Sequence, residues 1–291
     1  MVTSNVFGTS GGDGAGCDAN HTRWGASGGA GRESAAQSWL RMKVSEVLAL
    51  LAAGTLGGIF STVVSIASLV TYPVLLALGV PPLSANMTNT VSLVLTGAGS
   101  VAGSRPELAG QGRRVLRLGV ITALGGATGA TVLLLTPAST FVVVVPVLIG
   151  GASLVLLVQP KIKRLSPSPD GGNRLVQGVA LFTVAIYVGY FGAAAGVMLL
   201  VVLSMMIDES LVKVNAVKNA VSGMANATAS VCFALFGDVR WTLVVPLAAG
   251  FLVGGWVGPK IARKVPAGPF RVIVSLCGIG LAVKLGLSAY R

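Results

Sequence analysis

Charged residues are scarce in this sequence. Only 10% of its 291 residues are charged, whereas 53% are hydrophobic and the mean hydropathy is +0.83. Soluble domains of this length carry about a quarter charged residues. Several apolar runs of about 20 residues follow one another, and that length crosses the hydrocarbon core of a bilayer. The scarcity of charge excludes an ordinary soluble domain and predicts a polytopic membrane protein.

Acidic residues are the rarest charged type, and all nine lie in the N-terminal tail, in loops or at segment ends. No carboxylate is left for mid-membrane, which argues against metal-ion transport and carboxylate proton relays. The sequence has no HExxH motif, and its one histidine, His21, lies in the tail. An intramembrane hydrolase would need such groups. We therefore expect a protein that is not an enzyme and has neither a metal site nor a cofactor.

Cysteine is also rare, and Cys17, Cys232 and Cys277 have no paired spacing that would indicate a disulfide framework or a zinc site. The net charge of +12 would suit nucleic-acid binding. However, Lys and Arg lie mostly in short loops between apolar runs, as the positive-inside rule expects. The expected partners are therefore a lipid bilayer and a small anionic substrate, without nucleic acid, and a homo-oligomer remains open.

Eight apolar segments are expected to form helices, because their Leu, Val, Ala and Gly residues lack the alternation of a membrane barrel. They span about 44–79, 83–103, 115–135, 138–158, 174–207, 211–236, 239–260 and 268–288. The first and fifth are about twice the length of a span and have small residues near their middles. Both are therefore predicted to be broken helices or hairpins. Residues 1–42, rich in Gly and Ser, are predicted to be a disordered tail.

The two halves of the chain correspond. NMTNTV at 86–91 superposes on NAVKNA at 215–220 with an offset of 129 residues. The offset pairs Asn86 with Asn215, Asn89 with Lys218, and Thr90 with Asn219. Together with the two broken segments, the match predicts two four-segment repeats at 43–158 and 174–291, joined by a cytoplasmic linker at 159–173.

Basic loops indicate the orientation of the repeats. The loops at 104–117 and 159–174 are strongly basic and two spans apart, so both are expected in the cytoplasm. The loop at 260–271 is also basic, yet eight simple spans would place it outside. A hairpin at 174–207 would move this loop inside, and an inverted repeat would result provided that residues 44–79 turn back likewise. We predict the inverted arrangement.

A polar stripe lies within the apolar run after residue 211. On a helix, one face would carry Asn215, Asn219, Ser222, Asn226 and Ser230, with Lys218 at its edge. A similar stripe on the second segment consists of Asn86, Asn89, Thr96 and Ser100. A charged residue in a membrane helix usually faces the bundle interior or a water-filled path, which makes Lys218 a candidate site residue. Alternatively, Lys218 snorkels to the nearer interface.

The polar groups of the apolar segments suit a small oxyanion. Amide N–H groups, hydroxyls and helix N-termini donate hydrogen bonds to anions, and a lysine adds a point charge. The predicted substrate-binding residues are Lys218, Asn219, Asn215, Asn86, Asn89, Thr90, Ser65 and Gly192.

Motifs in both halves carry a family resemblance. The first half contains GTLGGIFSTVVSIASLVTYPVLLALGVPPLSANMTNTVSL, and the second contains GYFGAAAGVMLL, NAVKNAVSGMANA and ALFGDVRW. These stretches closely resemble the TauE/SafE sulfite-exporter family of bacterial permeases, from about residue 44 to residue 286. The resemblance implies a multi-pass permease of the bacterial inner membrane for small anions such as sulfite and organosulfonates.

One departure from the family pattern concerns the first segment. Similar members usually have a turn of the kind N-T-V-V-G-S-G, whereas residues 61–68 read STVVSIAS. Glycine permits a positive φ that other residues resist. The break is therefore expected to open less in the first half, or else Ser65 and Ser68 supply hydroxyl groups in place of the glycines.

We therefore expect a secondary transporter that exports sulfite or organosulfonates by alternating access. Because Asn89 corresponds to Lys218, the site is expected to be asymmetric, with its charge supplied by the second half. Two alternatives are a non-transporting membrane assembly subunit, in which the glycines and Lys218 serve packing and snorkelling, and a permease for another small solute.

Overall fold

The computed structural model describes the backbone of residues 43–165, 173–263 and 268–289. The predicted tail, and residues 166–172 of the predicted linker, lie outside the described residues. The described part of the chain contains eleven helices: α1 Val44–Val64, α2 Ala67–Ala77, α3 Pro82–Gly103, α4 Arg105–Leu108, α5 Gly112–Leu135, α6 Ala138–Leu165, α7 Arg174–Tyr190, α8 Ala195–Met206, α9 Leu211–Phe236, α10 Trp241–Ala262 and α11 Gly268–Ala289.

Three helices, α1, α5 and α10, are long and apolar enough to cross a membrane, and shorter apolar helices accompany them. They contain 21, 24 and 22 residues. At 1.5 Å per residue, each is roughly 30 Å long or more, which matches the hydrocarbon core. Large apolar side chains such as Leu124 and Leu252 are exposed on the outer faces. Lipid contact explains this exposure, and the prediction of an all-helical, polytopic membrane protein is confirmed.

Both long segments break near their middles. The first is interrupted at residues 65–66, where Ser65 has a φ of 67°. The second is interrupted at residues 191–194, where Gly192 has a φ of 70° and Ala194 a φ of 53°. Within the described residues, Ser65 and Ala194 are the only non-glycine positions with positive φ. Their separation is 129 residues, the same offset that aligns the two halves of the sequence.

Each interrupted segment folds back on itself as a hairpin. Near the start of α7, Gln177 Nε2 donates a hydrogen bond of 3.3 Å to the carbonyl oxygen of Met205, near the end of α8. A continuous helix would separate these residues by about 40 Å. In the first hairpin, a Cβ atom at Gly57 of α1 would lie 2.7 Å from Thr71 Cγ2 of α2. The returning helices α2 and α8 have 11 and 12 residues, too few to span a bilayer.

Close backbone contacts join the two halves of the chain. Helix α1 packs on α10, and α7 packs on α5. A Cβ atom at Gly58 would lie 2.8 Å from the Gly255 nitrogen, and one at Gly97 of α3 would lie 2.8 Å from Gly223 Cα of α9. Only glycine allows helix backbones to approach this closely. The hairpins are therefore held against helices from the opposite half.

Arg263 connects the end of α10 with the loop after α3. Its Nε donates to Glu107 Oε1 at 2.8 Å, and its Nη2 donates to the carbonyl oxygen of Gly103 at 3.1 Å. The basic loop that begins after α10 therefore starts on the same side of the molecule as the basic loop at 104–117. Eight simple spans would separate these loops, so the α7–α8 hairpin accounts for their placement.

Candidate functional site

The tips of the two hairpins meet at a cavity of about 50 Å³. Gly196, in the first turn of α8, packs so closely on Ser65 that a Cβ atom there would lie 2.6 Å from Ser65 Cβ. The first turn of α2, at Ala67 and Ser68, lines the cavity together with the first turn of α8. Helix N-termini carry partial positive charge and unpaired N–H groups. Two of them therefore begin at this cavity.

Lys218 supplies a full positive charge to the cavity wall when it is protonated. It is only 2% exposed, and its Nζ donates to Ser65 Oγ at 2.5 Å. The other residues that line the cavity are uncharged, and no ion pair of Lys218 is present among the described residues. Its burial and its bond to the hairpin tip argue against the snorkelling alternative. A buried cation without a counter-ion is costly, which favours an anion in the cavity.

Ser65 adopts the left-handed conformation although it is not a glycine. Its φ and ψ are 67° and 40°, and its N–H donates to the carbonyl oxygen of Ser61 at 3.1 Å. This conformation costs a non-glycine residue roughly 1–2 kcal/mol. The first segment therefore breaks without its glycines. The two hydroxyl groups that were expected in place of the glycines both form hydrogen bonds. Ser65 Oγ accepts from Lys218 Nζ, and Ser68 Oγ accepts from Asn89 Nδ2 at 3.2 Å.

Asn86 and Asn215 support the broken helices from outside the cavity wall. Asn215 Nδ2 on α9 donates to the carbonyl oxygen of Thr62 in the last turn of α1, at 2.9 Å. Asn86 Nδ2 on α3 donates to the carbonyl oxygen of Tyr190 at the end of α7, also at 2.9 Å. Carbonyls in the last turn of a helix have no partner within that helix. Each asparagine therefore caps the broken helix of the opposite half.

Asn89, the counterpart of Lys218, does not line the cavity. Its Oδ1 accepts from Thr71 Oγ1 at 2.6 Å, and its Nδ2 donates to Ser68 Oγ, so α2 satisfies both ends of its amide. Five of the eight predicted site residues line the cavity: Lys218, Asn219, Thr90, Ser65 and Gly192. The other three, Asn215, Asn86 and Asn89, hold the elements that form it.

The cavity wall also contains polar residues that were not among the predicted site residues. They are Ser61, Ser68, Thr96, Ser100, Ser222 and Asn226. The polar stripes on α3 and α9 contained a signal for four of them, Thr96, Ser100, Ser222 and Asn226. For Ser61, the only sequence signal for a place in the cavity wall was its position one turn before the predicted break.

Two short helices that begin at a buried site, within a bundle of apolar helices, are typical of membrane proteins of the transporter class. The family model of the sulfite exporter TauE/SafE matches residues 50–285, and the chain belongs to this family. It is thus a multi-pass membrane transporter, as the sequence resemblance implied.

Curated relatives agree with this assignment. The chain is 22% identical over 239 residues to "Probable membrane transporter protein YfcA" of Escherichia coli strain K12. The aligned region covers 79% of this chain and 86% of that protein. Proteins of the same name from Escherichia coli O6:H1 and O157:H7 match to the same extent. No solved structure matches the chain.

Proposed function

We propose that the protein is a secondary transporter that exports small anions across the bacterial inner membrane by alternating access. Its proposed substrates are sulfite, which the family description names, or organosulfonates. One observation carries the proposal: buried Lys218 has no carboxylate partner within the described residues, and it lines a cavity where two short helices begin.

Electrostatics favours an anion over the other small solutes. At about 4 Å from Lys218, a single negative charge gains roughly 4 kcal/mol at an effective dielectric constant near 20. Each helix N-terminus adds roughly 0.3–1 kcal/mol for an anion. A cation would be repelled by the same groups, and a neutral solute would leave the Lys218 ammonium without a counter-charge.

We also propose that residues 43–158 and 174–291 form two inverted repeats joined by a cytoplasmic linker at 159–173. An offset of 129 residues carries the first residue of α3 onto that of α9, and the first residue of α5 onto that of α10. The packing of the helices follows the same correspondence between the halves. Helix α1 packs on α10, and its counterpart α7 packs on α5, the counterpart of α10. The Arg263–Glu107 bond further supports opposite orientations. Rocking of such repeats would expose the cavity to each side in turn.

Sulfite flux into proteoliposomes tests the proposal. Wild-type protein is expected to give saturable, sulfite-dependent flux, and Lys218→Ala is expected to lower it by about 100-fold or more through the lost charge. Lys213→Ala is a matched control on the same helix, because Lys213 is exposed and pairs with Glu209. Transport by Lys218→Ala at the wild-type rate would remove Lys218 from the site. Wild-type vesicles that carry no anion would favour the assembly-subunit alternative.

A further inference from the structure

We infer that Thr96 and Asn219 contact the substrate directly and select an oxyanion head over a halide, an inference that rests on the proposed function. Among the described residues, Thr96 Oγ1 and Asn219 Nδ2 are the only fully buried side-chain oxygen or nitrogen atoms without a hydrogen-bond partner. Both residues line the cavity that contains Lys218. They come from opposite halves of the chain, Thr96 from α3 and Asn219 from α9.

The free hydroxyl of Thr96 differs from the other buried threonine hydroxyls of nearby helices. Thr62 donates to the carbonyl oxygen of Gly58 at 3.1 Å, and Thr90 donates to that of Asn86 at 2.9 Å. This bond to the preceding turn is the usual way to satisfy a threonine in an apolar helix. Thr96, only 5% exposed, makes no such bond. Its hydroxyl is therefore available to a ligand in the cavity.

An unpaired buried donor is unusual enough in a folded protein to need an explanation such as ordered water or a ligand. Here two unpaired groups line one cavity of about 50 Å³, next to the Lys218 ammonium. The site thus presents three donors: a hydroxyl, an amide N–H and an ammonium group. A ligand with several acceptor atoms would satisfy all three, and hydrogen bonds between charged and neutral groups are stronger than those between neutral groups.

Close packing fixes the two helices that carry these donors. A Cβ atom at Gly255 of α10 would lie 2.6 Å from the carbonyl oxygen of Thr96, so the α3 backbone is held tightly at this residue. The next residue, Gly97, meets Gly223 of α9, one turn beyond Asn219. Donors on such rigid elements cannot readily move inward to reach a smaller ion. The cavity is several times larger than the roughly 10–15 Å³ that one water needs, so a halide would leave a donor unpaired.

Sulfite and chloride binding to the purified protein tests this inference, with each anion titrated against thermal unfolding at fixed ionic strength. Wild-type protein is expected to bind sulfite more tightly than chloride. Thr96→Val and Asn219→Leu are each expected to weaken sulfite binding by roughly 10- to 100-fold, the range for a hydrogen bond to a charged group. Chloride binding should change much less, so the selectivity ratio falls. Thr96→Val should also leave the unliganded Tm unchanged or raise it, because it removes an unpaired polar group.

Thr122→Val is the matched control. Its hydroxyl is buried and donates to the carbonyl oxygen of Val221 at 2.8 Å, outside the cavity. This variant should lose stability without losing sulfite affinity. If wild-type protein binds sulfite and both cavity variants bind it equally well, the two atoms hold water only and the inference is overturned. If wild-type protein binds no anion, the proposed function fails first and the inference fails with it.

Discussion

The two hairpin tips share a backbone design but differ in chemistry. In the first tip, Ser65 bends the chain and bonds to Lys218 through its hydroxyl group. In the second, Gly192 and Ala194 bend the chain without offering a polar side chain. Phe191 of that tip instead packs against Tyr72, with ring centroids 5.8 Å apart. Both tips contribute a helix N-terminus to the site, but the first adds polar contacts and the second adds an apolar wall.

The helices behind the tips show the same asymmetry. Asn86 and Asn215 play equivalent parts, since each caps the broken helix of the other half. Asn89 and Lys218 occupy corresponding positions, but Asn89 is fully engaged by α2, while Lys218 lines the cavity. Within the described residues, the supporting contacts are therefore present in both halves of the chain, whereas the charged contact is present in the second half alone.

Moving the charge between the halves should have the largest effect. Lys218→Asn is expected to lower sulfite flux by about 100-fold or more, because the anion loses its counter-charge. Adding Asn89→Lys to this variant should not restore flux, since residue 89 does not line the cavity and its amide is held by Ser68 and Thr71. Flux in proteoliposomes measures both effects, with Lys213→Asn as the control. Recovery in the double variant would mean that the two halves are chemically interchangeable.

Removing the two helix caps should have the next largest effect. Asn86→Leu removes a side chain that is only 1% exposed and leaves the carbonyl oxygen of Tyr190 without its partner, at an expected cost of about 2–3 kcal/mol. Asn215→Leu should cost less, about 1–2 kcal/mol, because Asn215 is only half-buried. Thermal unfolding in detergent measures both losses. Two variants with unchanged Tm would show that these bonds do not support the tips.

Glycine substitutions at Ser65 and Ala194 should separate the cost of the left-handed backbone from the contribution of the Ser65 side chain to binding. Ala194→Gly is expected to stabilise the protein by roughly 0.5 kcal/mol, the strain relieved less the extra entropy of the unfolded chain. Ser65→Gly should relieve similar strain but weaken sulfite binding, because Lys218 loses the hydroxyl that holds it. Tm and sulfite titration distinguish the two variants. Sulfite affinity unchanged in Ser65→Gly would assign Ser65 a backbone role alone.

Removing the Arg263–Glu107 ion pair should have the smallest effect, a small loss of stability. The hydrogen bond from Arg263 lowers the pKa of the Glu107 carboxyl in the folded protein. The pair therefore stabilises the fold at pH values above the ordinary glutamate pKa, and this contribution disappears as the pH falls through the lowered value. Because Arg263 is partly exposed, the stabilisation by this pair amounts to at most about 1 kcal/mol. Glu107→Gln should lower Tm near neutral pH and match wild type in acid; equal Tm at neutral pH would contradict this.

The sequence predicted features that depend on local composition. Two overlong apolar segments with small residues at their middles predicted the breaks, and a lysine in an apolar run predicted the buried cation. It could not predict which amides would line the cavity, because Asn86, Asn89 and Asn219 differ only in what packs against them. Thr96 was missed as a site residue for a similar reason. A threonine in an apolar helix usually bonds to the preceding turn, and only the structure reveals that this one does not.

The most direct test of the site is anomalous diffraction from crystals of the protein grown with selenite, a heavier analogue of sulfite. We expect an anomalous peak in the cavity between the hairpin tips, with selenite oxygens within about 3 Å of Lys218 Nζ, Asn219 Nδ2 and Thr96 Oγ1. The peak should vanish in Lys218→Asn crystals. A cavity without selenite, in crystals where the ion binds only to exposed basic residues such as Arg113 and Arg117, would contradict an anion site at Lys218.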